Sequence, residues 1–204
     1  MADVWIIAEH RDGEFRKVTF EAASAAKTIA GELGGQVVAL VFGKGLAAQC
    51  AQLGDWGADK VLYAEDDKFE YYTTDAYAEA AAKLAQDQGP AAILFGASVQ
   101  GKDLAGRLAA KLGVSAAVDC TALEVADGRL KATRPMYAGK VYAEVLLKAD
   151  PQIVTLRPNV FDAKQGGGEA AVEEISVEIS EPRVKLEEVL KEAEDKVELT
   201  EAEV

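Results

Sequence analysis

The sequence predicts an α/β protein whose core is a three-layer α/β/α, Rossmann-like parallel sheet. Through residue 113, short apolar runs typical of buried strands alternate with alanine-rich amphipathic segments typical of helices. Glycines follow most of the amphipathic segments, as they commonly do at helix ends. From Ser115 onward, consecutive extended segments replace this alternation, which predicts an antiparallel β meander appended to the parallel part.

Four strands and four helices are expected in the parallel part. Apolar runs predict strands at residues 4–8, 36–42, 59–64 and 91–95. The helices are predicted at 21–33, at 46–53, from a cap at Thr74 to about Gln88, and from the loop after Gly96 to Gly113. Gly34-Gly35 ends the first helix, and Gly89-Pro90 ends the third. This order predicts helices on both faces of the sheet.

The remaining elements are extended segments and one charged segment. Extended segments are predicted at 118–126, 129–136, 140–148 and 152–156, with Asp127-Gly128 as a hairpin turn. Beyond the flexible glycine run 166–168, the pattern predicts a strand at 171–179 that returns to the sheet, and an acidic helix at about 183–195. We therefore divide the chain into a Rossmann-like domain, 1–165, and a connecting part, 166–204.

The loop that starts at Gly96 is nearly a phosphate-binding loop. The pattern G-x-x-x-x-G-K is complete from Gly96 to Lys102. The next residue is Asp103, where a hydroxyl should bind magnesium, and an ionised carboxylate there would repel a polyphosphate. The loop therefore argues against an ATPase.

Two other interpretations of this loop remain. Ser98, Gly101 and Lys102 could hold an anion at the start of the helix, because backbone amides and the helix dipole attract negative charge there. Alternatively, the loop only caps a helix, with Ser98 or Gln100 accepting from backbone amides and Asp103 in the first turn complementing the dipole.

Several segments in order along the chain resemble one protein family. They are Val4-Trp5-Ile6-Ile7-Ala8-Glu9-His10, the helix and strand around Gly34-Gly35, Gly57-Ala58-Asp59-Lys60-Val61-Leu62, the run from Gly96 to Leu112, Arg134-Pro135-Met136-Tyr137-Ala138-Gly139, and Arg157-Pro158-Asn159-Val160-Phe161-Asp162-Ala163. This ordered set resembles the N-terminal domain of the electron-transfer flavoprotein alpha subunit. The resemblance covers roughly residues 3–165.

The resemblance implies a function in electron transport without catalytic residues in this segment. In the family, the alpha subunit pairs with a beta subunit and carries electrons through FAD. The donors are flavin-dependent dehydrogenases, such as the acyl-CoA dehydrogenases of fatty acid β-oxidation, and a downstream acceptor follows. In the family, a C-terminal domain holds most of the FAD contacts, and we expect that domain to be missing from this sequence. The resemblance therefore transfers no FAD-binding residue, and we expect this chain alone not to retain FAD.

Composition narrows the other possibilities. At 204 residues and 50% hydrophobic content the chain can bury a substantial core, and it has no apolar run long enough to cross a membrane. It has no signal-peptide pattern, so we expect a cytoplasmic location without membrane insertion. Cys50 and Cys120 lie far apart without metal-ligand spacing, so we expect no metal site and no disulfide framework.

Charge is concentrated in the last part of the chain. The net charge is −13, of which residues 169–204 contribute −9 from 13 acidic and 4 basic side chains. Such a surface disfavours nucleic acid, whose binding depends on cationic side chains. The acidic tail could steer a positively charged partner, or it could be a solvated extension.

Two further places are candidates for function. His10, the only histidine, follows the first strand, where ligands often bind in α/β sheets; the alternative is a polar loop histidine. Arg134, Tyr137 and Lys140 surround a predicted turn and are candidates for a protein interface; the alternative is a hairpin with an exposed arginine.

A stand-alone nucleotide-binding regulatory module of the universal-stress-like class is the competing function for the whole chain. The longer glycine pattern of that class is not reproduced in this sequence.

Overall fold

The computed structural model describes residues 2–184 and 186–188. Seven strands form one sheet, and every neighbouring pair in it is parallel. They are β1 (Val4–Ile7), β4 (Val37–Gly43), β5 (Lys60–Glu65), β6 (Ala92–Gly96), β7 (Ala116–Cys120), β11 (Gln152–Leu156) and β12 (Ala171–Ile175). Their order across the sheet is β12-β5-β4-β1-β6-β11-β7. The structure therefore confirms the predicted Rossmann-like class.

Helices cover both faces of this sheet. The described α-helices are α1 (Lys17–Leu33), α2 (Ala47–Cys50), α3 (Thr74–Gln88) and α4 (Val99–Leu112), and 3₁₀-helices span Ala51–Trp56 and Asp67–Phe69. Alternate strand residues point to opposite faces, which gives two apolar clusters. One cluster joins the sheet to α1 and α2 through residues such as Ile6, Ala26 and Val41. The other joins it to α3 and α4 through residues such as Ile93, Ala81 and Leu108.

Two small antiparallel sheets accompany the main sheet. One consists of β8 (Ala122–Ala126), β9 (Arg129–Met136) and β10 (Val141–Leu146) in the order β10-β9-β8. The other is a hairpin of β2 (His10–Arg11) and β3 (Glu14–Phe15), which the sequence did not predict. None of the helices in the described residues is long and apolar enough to cross a membrane.

The predicted meander is correct only for its middle strands. The strand predicted at 118–126 divides into β7 and β8, and both β7 and β11 join the parallel sheet. Every residue of β11 is buried, because it lies between β6 and β7 in a sheet that is covered on both faces. Its two polar residues are hydrogen-bonded: Gln152 accepts from the Leu130 amide, and Thr155 accepts from the Asp119 amide. The β8-β9-β10 sheet is thus the crossover connection between β7 and β11.

Several local predictions differ from the structure. Helix α1 begins at Lys17, four residues before the predicted start, and β12 ends at Ile175 instead of residue 179. Helix α3 begins at Thr74, so Thr73 holds the N-cap position, and its side chain makes no capping hydrogen bond. Helix α4 begins at Val99, so Asp103 is its fifth residue and lies outside the first turn. Of the acidic helix predicted at 183–195, residues 183, 184 and 186–188 are irregular, and the rest lies outside the described residues.

The connecting part returns to the sheet as predicted. Strand β12 pairs in parallel with β5. The glycine run before it is packed closely: a Cβ on Gly167 would lie 2.0 Å from the carbonyl oxygen of Gly54, and one on Gly54 would lie 2.1 Å from the Ala170 nitrogen. These glycines therefore permit two backbone segments to touch, a requirement that the sequence did not reveal.

Candidate functional site

The strand order places a topological switch point between β1 and β6. From β1 the chain continues to β4 and β5 on one side, and then it crosses to β6, β11 and β7 on the other. In open α/β sheets, ligands bind outside the carboxyl ends of the strands at such a point. Glu9 lies just after β1, and Ser98 lies just after β6, so both side chains belong to the switch point.

Glu9 fills the crevice between these two strand ends. It is only 5% exposed, and its carboxylate accepts hydrogen bonds from Arg16 Nη1 at 2.8 Å and from the Ser98 hydroxyl. Its backbone is also fixed, because its amide donates to Thr19 Oγ1 at 2.8 Å and its carbonyl accepts from the same hydroxyl at 2.8 Å. The switch point is therefore occupied by a carboxylate of the chain itself, which is paired with Arg16.

The three candidate anion-binding residues divide into two groups. Ser98 is the N-cap of α4, where its hydroxyl accepts from the Gly101 amide at 2.9 Å while donating to Glu9. Lys102 is exposed, and its amide donates to the Ser98 carbonyl at 3.0 Å in the first turn of the helix. The hydroxyl of Ser98 and the amide of Gly101 are thus already used in capping, whereas the Lys102 side chain is exposed to solvent.

The glycines of this loop are required by close packing. A Cβ on Gly96 would lie 2.6 Å from Val18 Cβ, and one on Gly101 would lie 1.9 Å from the Gly96 carbonyl oxygen. Real Cβ atoms do not approach other atoms this closely, so each position excludes a side chain. The resemblance to a phosphate-binding loop therefore has a steric explanation in this fold.

Asp103 faces away from the switch point, toward the start of α3. Its carboxylate accepts from Tyr72 Oη at 2.8 Å and from the Thr74 hydroxyl. These residues line a groove of about 950 Å³ between α3 and α4, where Arg107 also pairs with Asp75 at 2.6 Å. Thr73 and Lys102 also line the groove, and the buried Thr73 hydroxyl has no hydrogen-bond partner among the described residues. The described lining residues do not place a nucleophile beside a base.

His10 lies at the carboxyl edge of the sheet, as predicted, but its ring is used inside the protein. Its Nε2 lies 2.8 Å from the Phe42 carbonyl oxygen, which also accepts from Tyr77 Oη at 3.0 Å. Burial lowers the pKa of His10, although the Phe42 carbonyl and the charge of Glu9 act in the opposite direction. The geometry therefore favours a neutral imidazole that donates to Phe42.

This environment predicts a pH-dependent stability. The folded state disfavours the imidazolium, so the unfolded chain binds the proton more readily below its pKa of about 6.5. The free energy of unfolding therefore decreases as the pH is lowered. We expect this fall between about pH 7.5 and pH 5.5 to be smaller in His10→Gln, whose amide can still donate to Phe42. Urea titrations of both proteins at each pH would measure it. Equal slopes for the two proteins would contradict the prediction.

A second cluster of charges lies at the carboxyl ends of β7 and β11. Asp119 has a positive φ of 63°, and its carboxylate accepts from Arg157 Nε at 3.1 Å and from Arg157 Nη2 at 2.6 Å. Arg157 lowers the pKa of Asp119 most, and Lys102 and Arg134 lower it further. Arg157 thus contacts this carboxylate, and the charges of Lys102 and Arg134 act on it from further away.

The candidate interface residues lie on the β9–β10 hairpin. Arg134 belongs to β9, and Tyr137 and Lys140 belong to the turn that follows it. Tyr137 and Ala138 both have positive φ angles, 52° and 56°, although neither is glycine. Tyr137 is nevertheless 75% exposed, so its ring packs little within the chain.

The sequence did not single out Glu9, Asp119 or Arg157 as site residues. Glu9 and Arg157 both fall inside segments that carried the family resemblance, so their positions at strand ends were a usable signal. Asp119 gave no such signal, because its role depends on a left-handed backbone beside an irregularity in the β7–β11 pairing. Only the folded register reveals that arrangement.

Comparison with known proteins identifies the family. The family model described as the electron transfer flavoprotein domain matches residues 4–180. The chain belongs to the electron transfer flavoprotein family. The alpha subunit of this flavoprotein from Bacillus subtilis (strain 168) is 37% identical over 204 residues, which cover 98% of this chain and 62% of that protein. These findings confirm the resemblance to the N-terminal domain of the alpha subunit.

Two other relatives of this flavoprotein family extend the comparison. The electron transfer flavoprotein subunit alpha of Syntrophomonas wolfei is 42% identical over 172 residues, covering 84% of this chain and 53% of that protein. The acryloyl-CoA reductase electron transfer subunit beta of Anaerotignum propionicum is 30% identical over 194 residues, covering 83% of this chain and 53% of that protein. The chain thus spans between half and two thirds of these relatives, which are named as electron transfer proteins.

Proposed function

We propose that this chain is the scaffold and subunit-interaction domain of an electron transfer flavoprotein alpha subunit. In the intact protein, a beta subunit would pair with it, and FAD would carry electrons from flavin-dependent dehydrogenases to a downstream acceptor. The chain itself would supply a rigid platform and contribute no catalytic residue. A cytoplasmic location and acyl-CoA dehydrogenase donors remain predictions from the sequence and the resemblance.

The observation that carries this proposal is the filled switch point. The Glu9 carboxylate, held by Arg16 and Ser98, occupies the place where a dinucleotide's pyrophosphate binds in open α/β sheets. The donors that a pyrophosphate would need there are already used, because Arg16 and the Ser98 hydroxyl donate to Glu9 and the Gly101 amide donates to Ser98. The described residues at this point therefore do not fit FAD or AMP, which supports a platform whose cofactor is held by other residues of the assembly.

The surface of the β9–β10 hairpin supports the second part of the proposal. Exposed apolar side chains there include Met136, Val141 and Tyr142, together with Tyr137 at the turn. Tyrosine and arginine are among the residues that most often anchor protein interfaces. We therefore assign contact with a partner subunit to Arg134, Tyr137 and Lys140.

The backbone of this turn predicts that one substitution would stabilise the chain. Tyr137 adopts a left-handed backbone at the first central position of its turn, where asparagine is favoured. Tyr137→Asn should raise the free energy of unfolding by about 0.5–1 kcal/mol, because relief of backbone strain outweighs the little packing that this exposed ring provides. Denaturant titration would measure the gain. Tyr71→Asn, at an exposed tyrosine without a positive φ, is the control; an equal gain there would contradict the explanation.

A stand-alone nucleotide-binding regulatory module is the alternative, and calorimetry separates the two functions. The purified chain should give no binding heat with AMP, ATP or FAD, should not hydrolyse ATP, and should carry no flavin absorbance. Tight binding of an adenine nucleotide without a partner would favour the regulatory module. Stoichiometric FAD on the chain alone would refute the scaffold.

A further inference from the structure

We propose that Lys102, Arg134 and Arg157 form a receptor for carboxylate side chains of a partner protein, beside the exposed apolar tip of the β9–β10 hairpin. This inference rests on the proposed function and names the chemistry of the partner's surface. It unites Lys102, a candidate for anion binding, with Arg134, a candidate for an interface, in one site.

Backbone hydrogen bonds bring the three cations together. The Arg157 amide donates to the Cys120 carbonyl at 2.9 Å, which places Arg157 at the end of β7 next to Asp119. The Thr121 amide donates to the Thr133 carbonyl at 2.8 Å, so β9 crosses the same strand end one residue before Arg134. The Ala97 amide donates to the Leu156 carbonyl at 2.6 Å, which sets the loop before α4 beside Arg157, and Lys102 lies in the first turn of that helix. The charge of Lys102 acts on Asp119 from there.

The charges in this cluster do not balance. Arg157 and Asp119 form a bidentate pair and neutralise each other. Within the part of the chain that the structure describes, Lys102 has no ion-pair partner, and Arg134 Nε is buried without a hydrogen-bond partner. Arg134 is half-buried and Lys102 is exposed, so both cations can donate to a carboxylate supplied from outside.

The acidity of the chain as a whole makes this local positive charge informative. It contains 35 acidic and 22 basic residues, and single lysines such as Lys111 and Lys148 also lack an ion pair in the described ranges, but here two cations without a carboxylate partner lie beside the same strand end. Acidic side chains elsewhere in the described structure pair with lysines and arginines on the surface, as Glu124 and Glu144 do with Lys131. A localised positive region on an acidic protein complements a partner surface that carries carboxylates.

The rim of the cluster favours a protein over a small anion. Asp119 chiefly raises the pKa of Arg157, and Tyr142, which is 63% exposed, adds a smaller effect in the same direction from nearby. Val141 and Met136 lie at the same hairpin end. An inorganic phosphate would contact the cations but leave these apolar side chains in water. A protein segment with aspartate or glutamate beside an apolar side chain would cover both parts.

Charge reversal on one helix tests the receptor. The beta subunit of an electron transfer flavoprotein from the same organism would be titrated into the chain, into Lys102→Glu and into Lys111→Glu. Both lysines are exposed on α4, and Lys111 lies about two and a half turns further along. We expect Lys102→Glu to bind about tenfold more weakly and Lys111→Glu to bind within about twofold of the original chain. Circular dichroism and thermal melting would verify that both variants fold.

The possible outcomes separate this inference from the proposed function. If the original chain does not bind the beta subunit, the proposed function fails and the receptor fails with it. If it binds and both lysine variants bind alike, the function stands and the receptor is wrong. If phosphate displaces the beta subunit more strongly than chloride does at equal ionic strength, the cluster is a small-anion site instead. A chain that dimerises alone, but not as Lys102→Glu, would identify a second copy as the occupant.

Discussion

Replacing Gly101 with alanine is expected to lower the free energy of unfolding by about 2–3 kcal/mol. In most helices this change is stabilising by up to about 1 kcal/mol, because alanine has the higher helix propensity. At Gly101 the new Cβ would lie 1.9 Å from the Gly96 carbonyl oxygen and 3.4 Å from Ser98 Oγ. The first turn of α4 must therefore move away from the loop that holds Ser98 against Glu9.

Gly106 provides the matched control, because it lies in the same helix. A Cβ there would meet nothing within 4 Å, so Gly106→Ala should stabilise the chain by up to about 1 kcal/mol. The two variants have the same composition and differ only in position. Urea or guanidinium denaturation of both would measure the difference. Equal effects would show that the close approach at Gly101 does not hold the loop in place.

Removal of the Glu9 carboxylate is expected to have the largest effect. Glu9→Ala should lower the free energy of unfolding by about 3 kcal/mol, because it takes the acceptor from both Arg16 and Ser98 in a crevice where the Glu9 and Arg16 side chains are largely buried. The loss would be measured by chemical denaturation. It should also weaken the cap of α4, since the Ser98 hydroxyl would lose the group that orients it toward the Gly101 amide.

Glu9→Gln separates charge from shape at the same position. The amide retains the volume and one acceptor oxygen, but it loses the charge that strengthens both hydrogen bonds. We expect a loss of about 1–2 kcal/mol, which would place its stability between that of the original chain and that of Glu9→Ala. A Glu9→Gln or Glu9→Ala variant as stable as the original would mean that the crevice is not held by this carboxylate.

Local patterns were sufficient to predict most of the fold. Apolar runs and helix-ending glycines located the parallel strands and α1, α3 and α4, because strand burial and helix capping are properties of neighbouring residues. The pairing of β11 between β6 and β7 was missed, since extended segments look alike in sequence whether they pair with a neighbour or with a distant strand. The hairpin of β2 and β3 was too short to give a periodic signal.

The candidate site was predictable only in part, for a similar reason. The Gly96 loop and His10 were found at the carboxyl edge of the sheet because both follow predicted strands. Their chemistry depends on interactions across long sequence distances, such as Ser98 with Glu9 and His10 with the Phe42 carbonyl. The Ser98 hydroxyl and the His10 ring are used within the chain, whereas the sequence alone left both available for a ligand.

The most direct test of the scaffold account is a crystal structure of the chain grown with excess FAD. The account predicts that the Glu9 carboxylate stays within hydrogen-bonding distance of Arg16 and Ser98, with no flavin density between the ends of β1 and β6. Density for an isoalloxazine ring or a pyrophosphate at that point, with Glu9 displaced, would contradict it.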